Sequence, residues 1–353
     1  KSQELLRILS SENHKIKKSI FFKNILIFFV NFFFVIISFI NIIRLYFTSN
    51  DIAHLFIQIK NSDNNYDQRS KHIFEIISPK KTINLVILND LNAGLKNIFK
   101  IPNVIYILQI KKFLQFFIFK NEILNLKEDF KKCSSIPIQG FNSYFEEVIA
   151  SKKLYNFILI LFKFLKIKKI IAIDDPRNIN EILYTANLLN IFSIGYQHAR
   201  FNKYHVGLSG QTFNKYFVWN PYFRDMAKKI NQNYSDTNLI LTGPTKKILK
   251  KKGSFNKIKK IMILDEVYHD NYSKNIIQKL LINNKEIYYL RKKPGENNPI
   301  NLTKNKIIID DNNDYFVSLV ENEIDLVIGT SSTSLLESWL IDVPSICVLS
   351  SNK

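Results

Sequence analysis

A rhythm of short β-branched apolar runs alternating with helix-length stretches, set out twice along the chain, restricts this sequence more than any other feature. In the first pass, 84–88 (NLVIL) and 103–110 (NVIYILQI) read as strands, 120–132 as a polar helix, 154–165 as an apolar helix and 168–174 (KKIIAID) as a strand. Asp175-Pro176 then opens a helix to about residue 190, with proline near the first turn as helix starts prefer. Strands follow at 191–197, 215–220 and 238–243, with an amphipathic stretch between the last two. Residues 48–81 read as polar and irregular. Lysines dominate 246–260, which reads as a linker or as an exposed helix and turn. The rhythm then restarts, with strands at 259–266, 285–290, 306–311, 324–329 and 345–349, and helices at 271–281, at 314–322 and from 334. Strands separated by helices predict parallel sheets covered on both faces. The expected fold class is therefore α/β with two doubly wound, Rossmann-like lobes. The first lobe is expected over 51–245 and the second over 261–353. Ligands of such sheets bind beyond the carboxyl ends of the strands.

Residues 24–43 (NILIFFVNFFFVIISFINII) carry no charge and reach the ~20 residues a membrane span needs. Asn24, Asn31, Ser38 and Asn41 weaken the run, while its Phe, Ile, Leu and Val residues each favour insertion by ~0.3–0.6 kcal/mol. Membrane attachment and a buried core helix are both open, so 1–50 is expected to be a basic and hydrophobic membrane-associated helix or part of the first lobe. Lys15, Lys17, Lys18 and Lys23 ahead of the run favour a cytoplasmic amino terminus. A single span would then carry the lobes to the far side; a monotopic or re-entrant helix, or one packed in the first lobe, would not.

The chain has 353 residues with 50 Lys and Arg against 30 Asp and Glu, a formal charge of +20. That balance attracts anionic surfaces, nucleic acid or nucleotide phosphates. No nucleic-acid recognition motif occurs and the lysines are spread along the chain, so no nucleic-acid partner is expected. Cys133 and Cys347, the two cysteines, exclude a disulfide scaffold and a Cys-rich zinc module.

Three stretches could carry chemistry. In 324–348 an apolar strand ends at Gly329 and runs into Thr330, Ser331, Ser332, Thr333 and Ser334 before a helix bearing Glu337. Hydroxyls and backbone N–H groups gathered at a helix start suit phosphate, and Glu337 suits a ribose or sugar hydroxyl. N-capping is the alternative, although one hydroxyl suffices for a cap. In 193–201, Gln197-His198 ends a strand, where His198 is a candidate general base and His205 a nearby competitor; a structural histidine is the other reading. Asp174 and Asp175 also end a strand, as bases or as a helix cap. After the strand at 285–290, Arg291, Lys292 and Lys293 meet a Pro-Gly turn, where they would neutralise a diphosphate or simply be solvated. There is no Gly-rich dinucleotide fingerprint, P-loop or His-Glu-x-x-His zinc site, and no Asp-x-Asp pair placed for a metal-dependent sugar transferase.

Together these stretches resemble bacterial surface-carbohydrate glycosyltransferases of GT-B architecture, the capsule and lipopolysaccharide families with polysialyltransferase-like and glycerophosphotransferase-like members. The resemblance covers roughly 168–348. It rests on Gln197-His198, then Val218-Trp219-Asn220 and Thr242-Gly243-Pro244, then Lys293-Pro294, the 330–334 cluster with Glu337, and Asp342-Val343-Pro344. Two positions depart from the family pattern: Ala199 replaces a glycine after His198, and Lys293 replaces the histidine of a His-Pro turn. Lysine can still bind phosphate but does not titrate near neutral pH without a large shift. The resemblance implies a metal-independent transferase without cofactor, working at the cytoplasmic face of the inner membrane. It implies a nucleotide-sugar donor held by Thr330, Ser331, Ser332, Thr333, Ser334, Glu337, Lys292 and Lys293. It implies a polysaccharide or lipid-linked acceptor, His198 as catalytic base, and Gln197, Asp174, Asp175, Thr242 and Gly243 nearby. GT-B chains run on through a closing helix, so the second lobe is expected to be truncated. A non-catalytic carbohydrate-assembly scaffold on the same fold is the alternative, favoured by the two departures.

Overall fold

A computed structural model describes residues 19–48, 50–58, 70–88, 91, 94–95, 101–133, 142–174, 179–244, 258–264, 286–291, 307–310, 315–329 and 332–348. The chain divides into two compact units, Lys1–Thr245 and Lys246–Lys353. The first contains β1 (Ile52–Gln58), β2 (Ile83–Leu88), β3 (Val104–Tyr106), β4 (Lys169–Ile173), β5 (Phe192–Tyr196), β6 (Lys215–Val218) and β7 (Leu239–Leu241). Its helices are α1 (Ser19–Tyr46), α2 (Lys71–Ile76), α3 (Ile107–Gln115), α4 (Lys120–Cys133), α5 (Asn142–Phe164), α6 (Ile179–Leu188), α7 (Val206–Ser209) and α8 (Pro221–Ile230). The strands pair in parallel in the order β3-β2-β1-β4-β5-β6-β7. The order reverses between β1 and β4, the topological switch point of a doubly wound sheet.

The second unit contains β8 (Lys260–Leu264), β9 (Ile287–Arg291), β10 (Ile307–Asp310), β11 (Leu326–Gly329) and β12 (Ser345–Cys347), with α9 (Tyr315–Glu321) and α10 (Ser334–Trp339). Its strands are also parallel, in the order β10-β9-β8-β11-β12. Two Rossmann-like lobes with an amino-terminal apolar helix are thus the observed fold class. The helix expected at 271–281 and most of the lysine-rich 246–260 stretch lie outside the described residues.

Two expectations change. Residues 48–81 are not irregular throughout: Ile52–Gln58 is β1, the strand at the switch point. A strand covered on both faces needs a near-continuous apolar run, and Ile-Ala-His-Leu-Phe-Ile supplies it with His54 fully buried. His54 Nε2 meets the Tyr196 hydroxyl at 3.2 Å, and Ser70 Oγ meets the same hydroxyl at 2.8 Å. Burial pushes the His54 imidazole down to about 3, so it is neutral at physiological pH. The second change concerns 103–110, where the strand stops at Tyr106 and α3 begins at Ile107. Ile107 and Ile110 bury at helical spacing, a pattern that an unbroken apolar run hides.

Helix α1 explains the polar residues that interrupt its apolar run. Among the described residues β3 is an edge strand, and its outward Tyr106 N–H and Val104 carbonyl have no strand neighbour. Ser38 Oγ accepts from Tyr106 N–H at 3.0 Å while donating to Phe34 O at 2.8 Å. Asn41 Nδ2 donates to Val104 O at 2.9 Å, and Arg44 donates to Asn103 Oδ1 at 3.1 Å. Side chains of α1 therefore close the open edge of the sheet. Phe34, Val35, Ile42 and Leu45 bury against the lobe. Phe29, Phe33, Phe39, Ile40, Ile43 and Phe47 face outward.

Candidate functional site

β4, β5 and β6 lie side by side, so their carboxyl ends place residues 174, 197–198 and 219–220 together. Asp174, just past β4, is buried. His198 Nδ1 lies 2.5 Å from Asp174 Oδ1, and the Tyr216 hydroxyl donates to Oδ2 at 2.6 Å. His205 Nε2 donates to the Asp174 main-chain carbonyl at 3.2 Å and stands 4.0 Å from Oδ2. Burial by itself raises the Asp174 carboxyl. The charge and hydrogen bond of His198, the charge of His205 and the Tyr216 hydroxyl outweigh it and hold the carboxyl below its ordinary value. An ionised Asp174 makes Nδ1 of His198 the proton-bearing nitrogen, so the neutral ring carries its lone pair on Nε2. A histidine held in this way by a buried carboxylate has the geometry that an oriented base requires.

Glycines make this geometry possible. Ala172, Gly195 and Tyr216 form one rung across β4, β5 and β6. A Cβ on Gly195 would come within 2.5 Å of the Phe213 ring, which stacks on Tyr216 at 5.7 Å. The missing side chain leaves room for that stack, and Tyr216 reaches past it to Asp174. A Cβ on Gly207, in α7, would sit 2.0 Å from the Asp174 carbonyl oxygen. The backbone of α7 is thus pressed against the residue that holds His198.

Gln197 is fully buried and bonded within the chain. Its Oε1 accepts from Trp219 N–H at 2.9 Å, its Nε2 donates to Ala199 O at 2.8 Å, and Trp219 Nε1 donates to its carbonyl at 3.0 Å. It clamps the turn that carries His198. Thr242 and Gly243 follow β7 at the same edge of the sheet. Thr242 N–H donates to Val218 O at 3.0 Å, and Gly243 adopts φ +73°, the left-handed region that favours glycine.

In the second unit, Ser332, Thr333 and Ser334 are partly exposed at the start of α10. Ser332 Oγ accepts from Ser334 N–H at 3.3 Å, and Thr333, the N-cap, makes no side-chain cap bond. Glu337, within the first turn, is buried. The Tyr315 hydroxyl donates to Ser334 O at 2.9 Å. Burial first, and then the Glu337 charge, push the Tyr315 phenol up. Arg291 ends β9, pairs with Asp310 at the end of β10, and lies 5.2 Å over the Tyr315 ring. Thr330, Ser331, Lys292, Lys293 and Asp175 lie outside the described residues.

The structure thus joins three of the sequence candidates directly, with His198 on the Asp174 carboxylate and His205 on its main-chain carbonyl. Tyr216 was missed; its one signal is a tyrosine in a strand predicted to neighbour that of His198. Arg291, Asp310 and Tyr315 were not linked to Glu337 by any spacing. Among the described residues, no group of three or more His, Cys, Asp or Glu side chains forms a candidate metal site.

No family model matches the chain, and no curated protein matches it. Among solved structures, the S. aureus MnaA–UDP co-structure aligns with a TM-score of 0.50 at 10% identity, over 85% of this chain and 79% of that one. Acinetobacter baumannii MurG aligns with a TM-score of 0.48 at 10% identity, over 85% and 78%. The spinosyn rhamnosyltransferase SpnG gives 0.47 at 9% identity, over 84% and 80%. At such identity the likeness to MnaA is one of fold, and it extends across both Rossmann-like lobes.

Proposed function

We propose that the chain is a GT-B glycosyltransferase that moves a sugar from a nucleotide-activated donor to a surface polysaccharide or lipid-linked acceptor at the cytoplasmic face of the inner membrane. The observation that carries this reading is the Asp174–His198 pair at the carboxyl ends of β4 and β5. In the proposed reaction an acceptor hydroxyl oxygen bonds to the anomeric carbon of the donor. The bond from that carbon to the phosphate oxygen breaks, and the hydroxyl proton passes to His198 Nε2. The buried Asp174 carboxylate stabilises the imidazolium that forms, and Tyr216 holds the carboxylate in place. A positioned base of this kind contributes ~10²–10⁴-fold.

Donor phosphate is assigned to the hydroxyl corner at 330–334 and to Lys292 and Lys293, with Glu337 accepting from a ribose or sugar hydroxyl. The partial exposure of Ser332, Thr333 and Ser334 supports this assignment, because packed hydroxyls could not reach a ligand. No metal is required by the scheme, since hydroxyls and lysines can stabilise the departing nucleotide. UDP is present in the MnaA co-structure, so uridine diphosphate sugars lead the donor panel.

A thermal-shift screen of UDP-, CMP- and GDP-sugars, followed by donor hydrolysis with and without His198→Ala, tests the proposal. One donor should raise the melting temperature, and the substitution should lower turnover at least a hundredfold. The rival scaffold reading, which Ala199 and Lys293 favour, predicts no turnover and no effect of His198→Ala.

A further inference from the structure

The polarity of α1 is inverted relative to a helix that lies between core and water. Asn31 and Ser38 are fully buried, and Asn41 and Arg44 are tied to the β3 edge. Its outward face is large apolar groups, among them Phe29 at 60%, Ile40 at 59% and Phe47 at 80% exposure. Ile27–Tyr46 is long and apolar enough to cross a membrane, yet only 28% of its window is buried in the lobe. The apolar surface extends beyond α1. Phe28 meets Phe116 at 4.8 Å, and exposed Phe116, Phe117 and Phe119 continue it after α3. On the other side Tyr46 stacks on Phe164 of α5 at 4.5 Å, with Ile160 exposed one turn before. Soluble proteins rarely expose contiguous apolar patches of this kind without a partner for them.

We propose that α1, the turn after α3 and the carboxyl half of α5 form a lipid-facing platform. It seats the first lobe on one leaflet of an anionic bilayer, with α1 lying along the surface rather than crossing it. This rests on the membrane part of the proposed function and is independent of sugar transfer. Three observations choose the occupant and its geometry. First, the border of the patch is basic: Arg44, Lys120, Lys163 and Lys166 are exposed. Acidic groups close by, Glu122 and Asp51, are already paired with Lys153 and Lys168. A basic border is attracted to anionic lipid, whereas two copies meeting through a two-fold axis would set like charge against like. Second, Asn31, Ser38 and Asn41 of α1 turn inward, so among the described residues the middle of its outer face is apolar and offers little to match a protein partner, whose interfaces carry about one hydrogen bond per 100–200 Å². Hydrocarbon needs none. Third, the Ser38 and Asn41 bonds fasten α1 to β3. A helix crossing the bilayer would have to break them and strip Phe34, Val35, Ile42 and Leu45 from the core. In-plane helices with apolar faces and basic borders bind membranes in this way.

The test uses the full chain and sealed vesicles of phosphatidylcholine, with and without phosphatidylglycerol. Wild type should float with the vesicles, more strongly when phosphatidylglycerol is present. The outward variant Phe29→Ser/Phe33→Ser/Ile40→Ser/Ile43→Ser should float at least tenfold less, with its melting temperature retained. The border variant Lys163→Glu/Lys166→Glu should lose several-fold on phosphatidylglycerol vesicles only. An amino-terminal tag should stay open to external protease. Equal flotation of wild type and the outward variant overturns the proposal. So does a wild-type dimer that ignores vesicles and becomes monomeric in the outward variant, and so does a tag protected inside the vesicles. Donor hydrolysis measured on the same proteins keeps the two readings apart. Lost flotation with retained turnover confirms the platform alone, and flotation without turnover in wild type removes sugar transfer alone.

Discussion

Asp174 Oδ1 accepts from His198 Nδ1 at 2.5 Å, from a position 24 residues earlier in the chain. The pair exists because β4 and β5 are neighbours whose ends lie level. Asp174→Asn keeps the shape but removes the charge that favours imidazolium and lets the amide hold either tautomer. Turnover of the preferred donor should fall by about 10²–10⁴-fold with little change in KM. An unchanged kcat would show that His198 is oriented by something else.

Tyr216→Phe removes one of the donors that keep a buried carboxylate ionised. Hydrogen bonds to charged groups contribute about 1.5–3 kcal/mol, and denaturant unfolding at neutral pH should show a loss of that order. With Asp174 raised toward its ordinary value, activity should also decline at a higher pH on the acid side than in wild type. A pH–rate profile that coincides with wild type would contradict this.

Gly207→Ala forces a Cβ to within 2.0 Å of the Asp174 carbonyl oxygen. Backbone, not a flexible side-chain tip, must give way. Overpacking of this kind costs about 1–3 kcal/mol, and displacement of Asp174 should reduce turnover more than the stability loss alone explains. Thermal melts and single-turnover rates on the same preparation separate the two effects.

His54 sets an acid limit on the fold. Its folded value, about 3, lies below the model-compound 6.5, so between those values the unfolded chain binds a proton that the folded chain does not. Stability therefore falls as pH drops from 6.5 toward 3, by about 2 kcal/mol at pH 5 from this group. His54→Leu should flatten urea-unfolding free energy between pH 7 and 5. The lost contact with Tyr196 lowers the plateau without restoring the slope.

Asn31 is fully buried with neither amide atom partnered among the described residues. An unsatisfied buried polar group costs about 1–3 kcal/mol. Asn31→Leu should stabilise the chain by that order in denaturant unfolding. A destabilised variant would mean that the amide is engaged.

The βαβ order and eleven of the twelve strands could be read from the pattern of apolar runs, because two-sided burial demands runs such as 260–264 and 326–329. β1 was hidden by His54, whose polarity in sequence gives no hint of a fully buried ring. The end of β3 was hidden because Val104–Tyr106 and the start of α3 are equally apolar. Asp174 was visible as a strand-end carboxylate, but its reading as a helix cap and its reading as a partner of His198 look the same in one dimension. Tyr216 lies 42 residues away from it and joins only through the rung shared with Gly195. Ser38 and Asn41 read in one dimension as interruptions of a membrane helix, since the strand edge that they serve lies more than sixty residues further on.

That service has a practical corollary. Deleting everything ahead of Asp51 to obtain a better-behaved soluble product would take away the stand-in for an eighth strand as well as the greasy surface. Val104 and Tyr106 would then offer bare main-chain groups to whatever extended segment came by, and the shortened protein would be stickier than its parent. Repainting the outer side of α1 in place, with its inner side chains untouched, is the safer road to a tractable sample.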